Sequence, residues 1–147
     1  MDLKRLSKEF YTADQLQPSD IKALKDRGMR SIVNNRPDGE ALDQPRGSDV
    51  ERAAISLGLE YTAVPVLSKI VTAAELQSFK TAIERLPKPV CGFCRTGTRA
   101  MICWALSETN RQCTYSIIES VVGAGFPSVD IESQLTATSQ KGNNHDN

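Results

Sequence analysis

The stretch Pro89-Val90-Cys91-Gly92-Phe93-Cys94-Arg95-Thr96-Gly97-Thr98-Arg99-Ala100-Met101-Ile102-Cys103-Trp104-Ala105-Leu106 decides the fold. Val90 to Phe93 reads as a short strand, the loop beginning at Cys94 follows without a spacer, and Arg99 to about Asn110 reads as a helix. Ala100 to Leu106 is apolar at every position, which predicts a helix buried on most sides rather than along one stripe. A strand that runs through a glycine-containing turn into an enclosed helix is the repeating unit of α/β proteins.

The same alternation continues on either side. Phe10 to Thr12 reads as a strand leading to a helix that opens near Pro18, turns Ile21 and Leu24 inward and stops at Gly28. Ser31-Ile32-Val33-Asn34 is a buried strand, followed by a turn-rich stretch from Asn35 to Gly47 that holds Arg36-Pro37-Asp38-Gly39-Glu40. Ser48-Asp49-Val50-Glu51 has capping-box spacing and predicts a helix with Val50, Ala53, Ala54 and Leu57 on one face as far as Gly58. Tyr61 to Val66 reads as the next strand. Thr72-Ala73-Ala74-Glu75 is a second capping box, opening a helix whose stripe is Leu76, Phe79, Ile83 and Leu86 and which Pro87 and Pro89 close.

Beyond Asn110, a helix from Thr114 groups Ile117, Ile118, Val121 and Val122 and ends at Gly123 or Gly125. From Ser128 the periodicity fades, and the polar segment 136–147 is expected to be a disordered tail. Together these elements predict one three-layer α/β domain over residues 1–135, with a mostly parallel central sheet of about four to five strands flanked by helices.

Composition narrows the function classes. Lys plus Arg and Asp plus Glu both total 18 in 147 residues, so there is no global basic field to attract nucleic acid or an anionic membrane. The N-terminus Met1-Asp2-Leu3-Lys4-Arg5-Leu6 lacks an apolar signal core, and no run approaches the roughly 20 apolar residues that span a bilayer. A soluble, cytoplasmic protein is expected. The four cysteines, Cys91, Cys94, Cys103 and Cys113, are accordingly expected to be reduced thiols. The only histidine, His145, lies in the polar tail and the second cysteine pair is spaced C-x9-C, so neither a metal nor another cofactor is expected.

In parallel sheets the site lies at the carboxyl ends of the strands, where the loops Asn34 to Gly39 and Cys94 to Arg99 are expected to converge. A thiol acts as a nucleophile in its ionised form, so its surroundings must favour an anion. Cys94-Arg95-Thr96-Gly97-Thr98-Arg99 supplies what that requires. Backbone N–H groups converge at a helix N-terminus, Gly97 lets the chain turn without a Cβ, Arg95 and Arg99 add charge, and Thr96 or Thr98 offers a hydroxyl. Cys94 is therefore the candidate nucleophile, Arg95, Thr96, Gly97 and Thr98 line the anion site, and Arg36 and Asp38 are candidates from the facing loop. Pro37-Asp38-Gly39 is also a sufficient recipe for a plain turn. Arg99 fits loop closure as well as substrate contact. Cys103 and Cys113 read as packing residues.

Through Ile32-Val33-Asn34-Asn35-Arg36-Pro37-Asp38-Gly39-Glu40 and Phe93-Cys94-Arg95-Thr96-Gly97-Thr98-Arg99, the sequence resembles the DUF442 family, the β-lactamase-hydrolase-like domain described both as phosphatase-like and as a rhodanese-like sulfurtransferase. The likeness runs from about Phe10 to Phe126. It implies a fold similar to dual-specificity phosphatases with the cysteine loop beside a central strand. Some members are fused to a metal-dependent persulfide dioxygenase. With one histidine this chain does not contain that domain, which leaves a separate persulfide dioxygenase as an expected partner.

The loop size separates the two reactions. Tyrosine phosphatases have C-x5-R, whereas Cys94 to Arg99 is C-x4-R, the spacing found in rhodaneses, and a smaller ring suits a single added sulfur better than a phosphoryl group with three oxygens. A phosphate ester needs a general acid for its leaving group, yet Val64-Pro65-Val66-Leu67-Ser68-Lys69, where a similar phosphatase would carry it, has no Asp, Glu or His. Asp38 and Glu40 are the nearby substitutes. The favoured expectation is a persulfide transferase in which Cys94 takes sulfur from thiosulfate or a low-molecular-weight persulfide and passes it to a thiol acceptor. The alternatives are a cysteine-dependent phosphatase and a non-catalytic anion or sulfane-sulfur sensor. A dithiol oxidoreductase using Cys91 and Cys94 is disfavoured, because an extended Cys91 to Cys94 separates the Cα atoms by roughly 10 Å.

Overall fold

The computed structural model describes residues 1–145, with side chains up to residue 137. Among the described residues, five strands form one sheet: β1 (Lys4–Arg5), β2 (Phe10–Ala13), β3 (Ser31–Asn34), β4 (Glu60–Ala63) and β5 (Val90–Phe93), in the order β1-β2-β5-β3-β4. β2, β5, β3 and β4 are parallel, and β1 pairs antiparallel with β2. The strand before the cysteine loop is therefore central, and all four of its residues are buried.

Helices cover both faces. α1 (Ile21–Asp26), continuing a 3-10 turn at Pro18–Asp20, and α2 (Gly47–Ser56) lie on one side, where Ile21, Leu24, Val50 and Ala54 pack with Ile32, Cys91 and Phe93. α3 (Ala73–Arg85), α4 (Thr98–Ser107), α5 (Thr114–Gly123) and α6 (Val129–His145) lie on the other, where Phe79, Met101, Ile102, Ile117, Val121, Ile131 and Leu135 join Val33 and Val90. Adjacent residues of β5 thus feed opposite cores, as the period of a strand requires. Every residue from Ala100 to Leu106 is buried, so α4 is the enclosed helix its apolar run predicts. A Cβ on Gly92 would stand 2.7 Å from Cζ of Phe10 and 3.3 Å from Cβ of Ala100, so a glycine is what lets α4 seat this closely on β5.

Several boundaries differ from expectation. β1 was not expected because two basic residues, a half-buried Lys4 and an exposed Arg5, carry no alternation signal. Tyr61 to Val66 is a strand only as far as Ala63, although Val64 N–H and Val66 N–H still donate to the carbonyls of Asn34 and Asn35. The capping box at Ser48 does not form: α2 begins at Gly47 after Arg46, and its first N–H is met by Asp38 instead. The box at Thr72 does form, with Glu75 N–H donating to the threonine hydroxyl and Thr72 N–H to the Glu75 carboxylate. A helix was not expected where the periodicity fades from Ser128, yet α6 spans Val129–His145 and is anchored by Ile131 and Leu135, both fully buried. Two apolar residues four apart are a short signal inside a polar segment, and they suffice because a groove beside α4 and α5 receives them. Positions 146–147 of that segment lie outside the described residues.

Candidate active site

The carboxyl ends of β5 and β3 bring the two loops together. Cys94 follows β5 directly and is fully buried, and Gly97, three residues on, is buried as well. Gly97 has φ +89° and caps α4; its N–H donates to Cys94 Sγ at 3.2 Å. That bond aims a backbone donor at the sulfur from a left-handed position that an L side chain rarely adopts. Thr96 and Thr98 do not add hydroxyls to the sulfur: their hydroxyls bond to each other at 3.2 Å on the solvent side. Gln15, just after β2, donates its N–H to the Arg95 carbonyl and so ties a third strand end to the loop.

From the other loop comes Arg36, only 7% exposed. Its Nε donates to Glu40 Oε1 at 2.8 Å and its Nη1 to Gln15 Oε1 at 2.9 Å. Arg99 donates from Nη1 to Glu40 Oε2 at 2.8 Å, from Nη2 to Glu40 Oε1 at 2.9 Å, and from Nη1 to the Val66 carbonyl at 2.9 Å. Hydrogen bonding from Arg99 first, then from Arg36, outweighs partial burial and holds the Glu40 carboxyl at about 2. The same pairing with Glu40 raises Arg99, with the nearby Cys94 sulfur contributing. An open pocket of about 550 Å³ lies over the loop, lined by Arg36, Glu40, Arg95, Arg99 and, on its far wall, Leu67, Ser68 and Lys69.

The structure brings Cys94, Arg95, Arg99 and Arg36 together and leaves Asp38 out. Asp38 Oδ1 accepts from Gly47 N–H at 2.8 Å at the start of α2, away from the anion pocket. Glu40, named in the sequence only as a substitute acid, is the carboxylate that reaches the site. Its role was hidden because acceptors for two arginines cannot be told from an ordinary turn glutamate until the loops meet. Asn35 was also missed. Fully buried, it donates its Nδ2 to the Val64 carbonyl at 2.8 Å and its N–H to the Phe93 carbonyl, joining β3, β4 and β5 immediately below the loop.

The remaining thiols do not assemble a second centre. Cys91 lies in the core on the α1 and α2 side of the sheet, and Cys103 lies in α4. Burial pushes both thiols up to about 12. None of the four cysteines is paired in a disulfide.

With strand, cysteine loop and arginine in place, comparison with known proteins identifies the lineage. Residues 2–111 match the model of the beta-lactamase hydrolase-like protein, phosphatase-like domain. The chain belongs to this family. It is 48% identical over 83 residues to the beta-lactamase hydrolase-like protein of Xylella fastidiosa, covering 56% of this chain and 19% of that protein. It is 32% identical over 108 residues to the protein of that name in Agrobacterium fabrum, covering 74% and 25%. The chain thus spans about a fifth to a quarter of the length of these curated relatives. Among solved structures, NMA1982 of Neisseria meningitidis superposes with a TM-score of 0.81 at 25% identity over 92% of this chain and 96% of that one. TpbA of Pseudomonas aeruginosa, solved in complex with pTyr, shares the fold with a TM-score of 0.62 at 17% identity over 92% and 81%. The phosphatase-like domain of the family is therefore a cysteine-loop α/β fold of the tyrosine and dual-specificity phosphatase kind. No described helix is long and apolar enough to cross a membrane.

Proposed function

We propose that this protein is a sulfur transferase in which Cys94 carries the sulfur. The observation that supports it is the state of Glu40. It is the one carboxylate among the residues lining the pocket, and it is clamped by Arg99 and Arg36 with its carboxyl at about 2, so near neutral pH it has no proton to give a departing alkoxide or phenoxide. A leaving group that departs as a stable anion needs none. The Cys94 thiolate attacks the outer sulfur of thiosulfate, the sulfur–sulfur bond of the donor breaks, and sulfite leaves with the electron pair, giving a Cys94 persulfide. A thiolate acceptor then attacks the terminal sulfur and regenerates Cys94. Arg95 is free to meet the donor's charge, while Arg99 and Arg36 hold the walls.

A second reading, phosphoester hydrolysis through a phosphocysteine, has the fold comparisons on its side. TpbA was solved with pTyr, and another protein of the same fold, from Saccharomyces cerevisiae, is the PP-IP phosphatase SIW14 (TM-score 0.62, 14% identity, 97% of this chain and 93% of that one). Intact-protein mass spectrometry after incubation with thiosulfate separates the two. The expected result is one added sulfur atom, absent in Cys94→Ser. Ready hydrolysis of p-nitrophenyl phosphate with a trapped phosphocysteine and no sulfur adduct would establish the second reading instead.

A further inference from the structure

The far wall of the pocket, Val66 to Thr72, is anchored along nearly its whole backbone. Arg99 Nη1 donates to the Val66 carbonyl, and the Glu75 carboxylate accepts from Leu67 N–H and Thr72 N–H, both at 2.9 Å. Gln134 of α6 does the rest. Its Nε2 donates to the Lys69 carbonyl at 2.8 Å and its Oε1 accepts from Val71 N–H at 3.2 Å. Three helices therefore fix a short loop that has no secondary structure of its own. With the backbone of the wall held, Val66 is buried and the Ser68 hydroxyl bonds to the Ile70 backbone, while Leu67 and Ile70 stand 78% and 69% exposed.

The cations on the pocket are unequal. Arg36 and Arg99 share the one Glu40 carboxylate, which fixes both and leaves a single net positive charge between them, whereas Arg95 and Lys69 make no ion pair among the described residues. Arg95 belongs to the cysteine loop; Lys69 stands on the opposite wall. A pocket of about 550 Å³ falls in the size range that takes ligands of many atoms, far larger than thiosulfate. One cation on the residue that follows Cys94 and a second across the pocket match a donor with two separated negative groups.

We propose that Lys69 is a specificity-determining contact that selects a sulfur donor carrying a carboxylate away from its reacting sulfur, and that Gln134 is the positioning residue that fixes it. The proposal rests on the sulfur-transfer reading and names the donor class for it: the persulfide of a small acidic thiol. In that step Cys94 thiolate attacks the terminal sulfur of R–S–SH, the sulfur–sulfur bond of the donor breaks, and R–S⁻ departs with the electron pair, leaving Cys94 as the persulfide. Gln134 lies beyond residues 2–111, the segment the family model matches, so α6 contributes to the pocket from outside it.

The test measures Cys94 loading by three donors: glutathione persulfide, with carboxylates; cysteamine persulfide, with an ammonium; and thiosulfate. Lys69→Ala is expected to lower kcat/KM for glutathione persulfide about tenfold, chiefly through KM, with a loss of at most about threefold for thiosulfate and a gain for cysteamine persulfide. Lys69→Arg is expected to restore the preference. Gln134→Ala is expected to shift the donors in the same order by a smaller factor. Equal losses for all three donors in Lys69→Ala would overturn the contact, and a lowered Tm in Gln134→Ala with unchanged donor ratios would overturn the positioning role. If wild-type protein loads from none of them, the sulfur-transfer reading itself has failed.

Discussion

Arg99 meets Glu40 fork to fork, with Nη1 to Oε2 at 2.8 Å and Nη2 to Oε1 at 2.9 Å, while Arg36 Nε reaches Oε1 at 2.8 Å. One carboxylate from the β3 loop thereby fixes two arginines and locks the cysteine loop to its neighbour. A fork of this kind is directional, so it sets geometry as well as charge.

Acid should weaken that lock in a defined window. The Glu40 carboxyl sits at about 2 in the folded protein against a usual value of 4.5. Its stabilising contribution is therefore complete above the unfolded value and is lost as pH falls from there toward the folded one. Glu40→Gln is expected to cost about 1 kcal/mol at neutral pH, since the pair is partly solvated. In urea unfolding, the gap between wild type and variant should narrow steadily below about pH 4. A gap independent of pH would mean that Glu40 acts by shape alone.

Asp38 tests the division of labour inside the same loop. Because its carboxylate caps α2 through Gly47 N–H, Asp38→Ala is expected to lose about 1 kcal/mol of stability and keep sulfur loading within about twofold. Asp38→Asn retains an acceptor and should recover most of the stability. Thermal melts and loading rates on the two variants read both quantities, and a loading defect larger than the stability loss explains would return Asp38 to the chemistry.

Thiol chemistry should follow exposure. Cys113 caps α5 and is exposed, and hydrogen bonding with the Ser116 side chain and then its backbone lowers its pKa. Cys91 and Cys103 are buried and held at about 12. With iodoacetamide followed by peptide mass spectrometry, Cys113 is expected to be modified while Cys91 and Cys103 remain unmodified in the native protein. A persulfide assay on this chain therefore needs Cys113→Ser as background, and the sulfur adduct should survive that substitution.

Most of the scaffold was legible because its signals are local. The apolar run Ala100 to Leu106, the box at Thr72 and the buried strand Ser31 to Asn34 each state their structure within a few residues. The turn from β5 through Gly97 into α4 was equally readable. What escaped depends on distant partners. Whether Asp38 or Glu40 faces the pocket turns on how a loop closes over α2, and both are acids in a turn. The clamp from Gln134 on Lys69 and Val71 spans some sixty residues, and a glutamine in a polar segment gives no hint of it. The same holds for Ile131 and Leu135, whose burial depends on the groove they enter.

Gly97 combines both kinds of information, and its replacement is the sharpest test of the loop. At φ +89° an added Cβ is strained whatever its surroundings, and here it would also stand 3.4 Å from the Ala13 carbonyl oxygen and 3.7 Å from Cζ of Phe126. Gly97→Ala is expected to cost about 1–2 kcal/mol. Since relief of the strain turns the Gly97 N–H away from Cys94 Sγ, sulfur loading should fall by about tenfold or more. Gly58→Ala is the control: its φ is +84°, nothing lies within 4 Å of the added Cβ, and it sits after α2, far from the loop. The two variants are expected to lose similar stability in urea unfolding, while only Gly97→Ala loses Cys94 loading. Parallel loss of loading in both would assign the defect to general destabilisation and remove the Gly97 N–H from the mechanism.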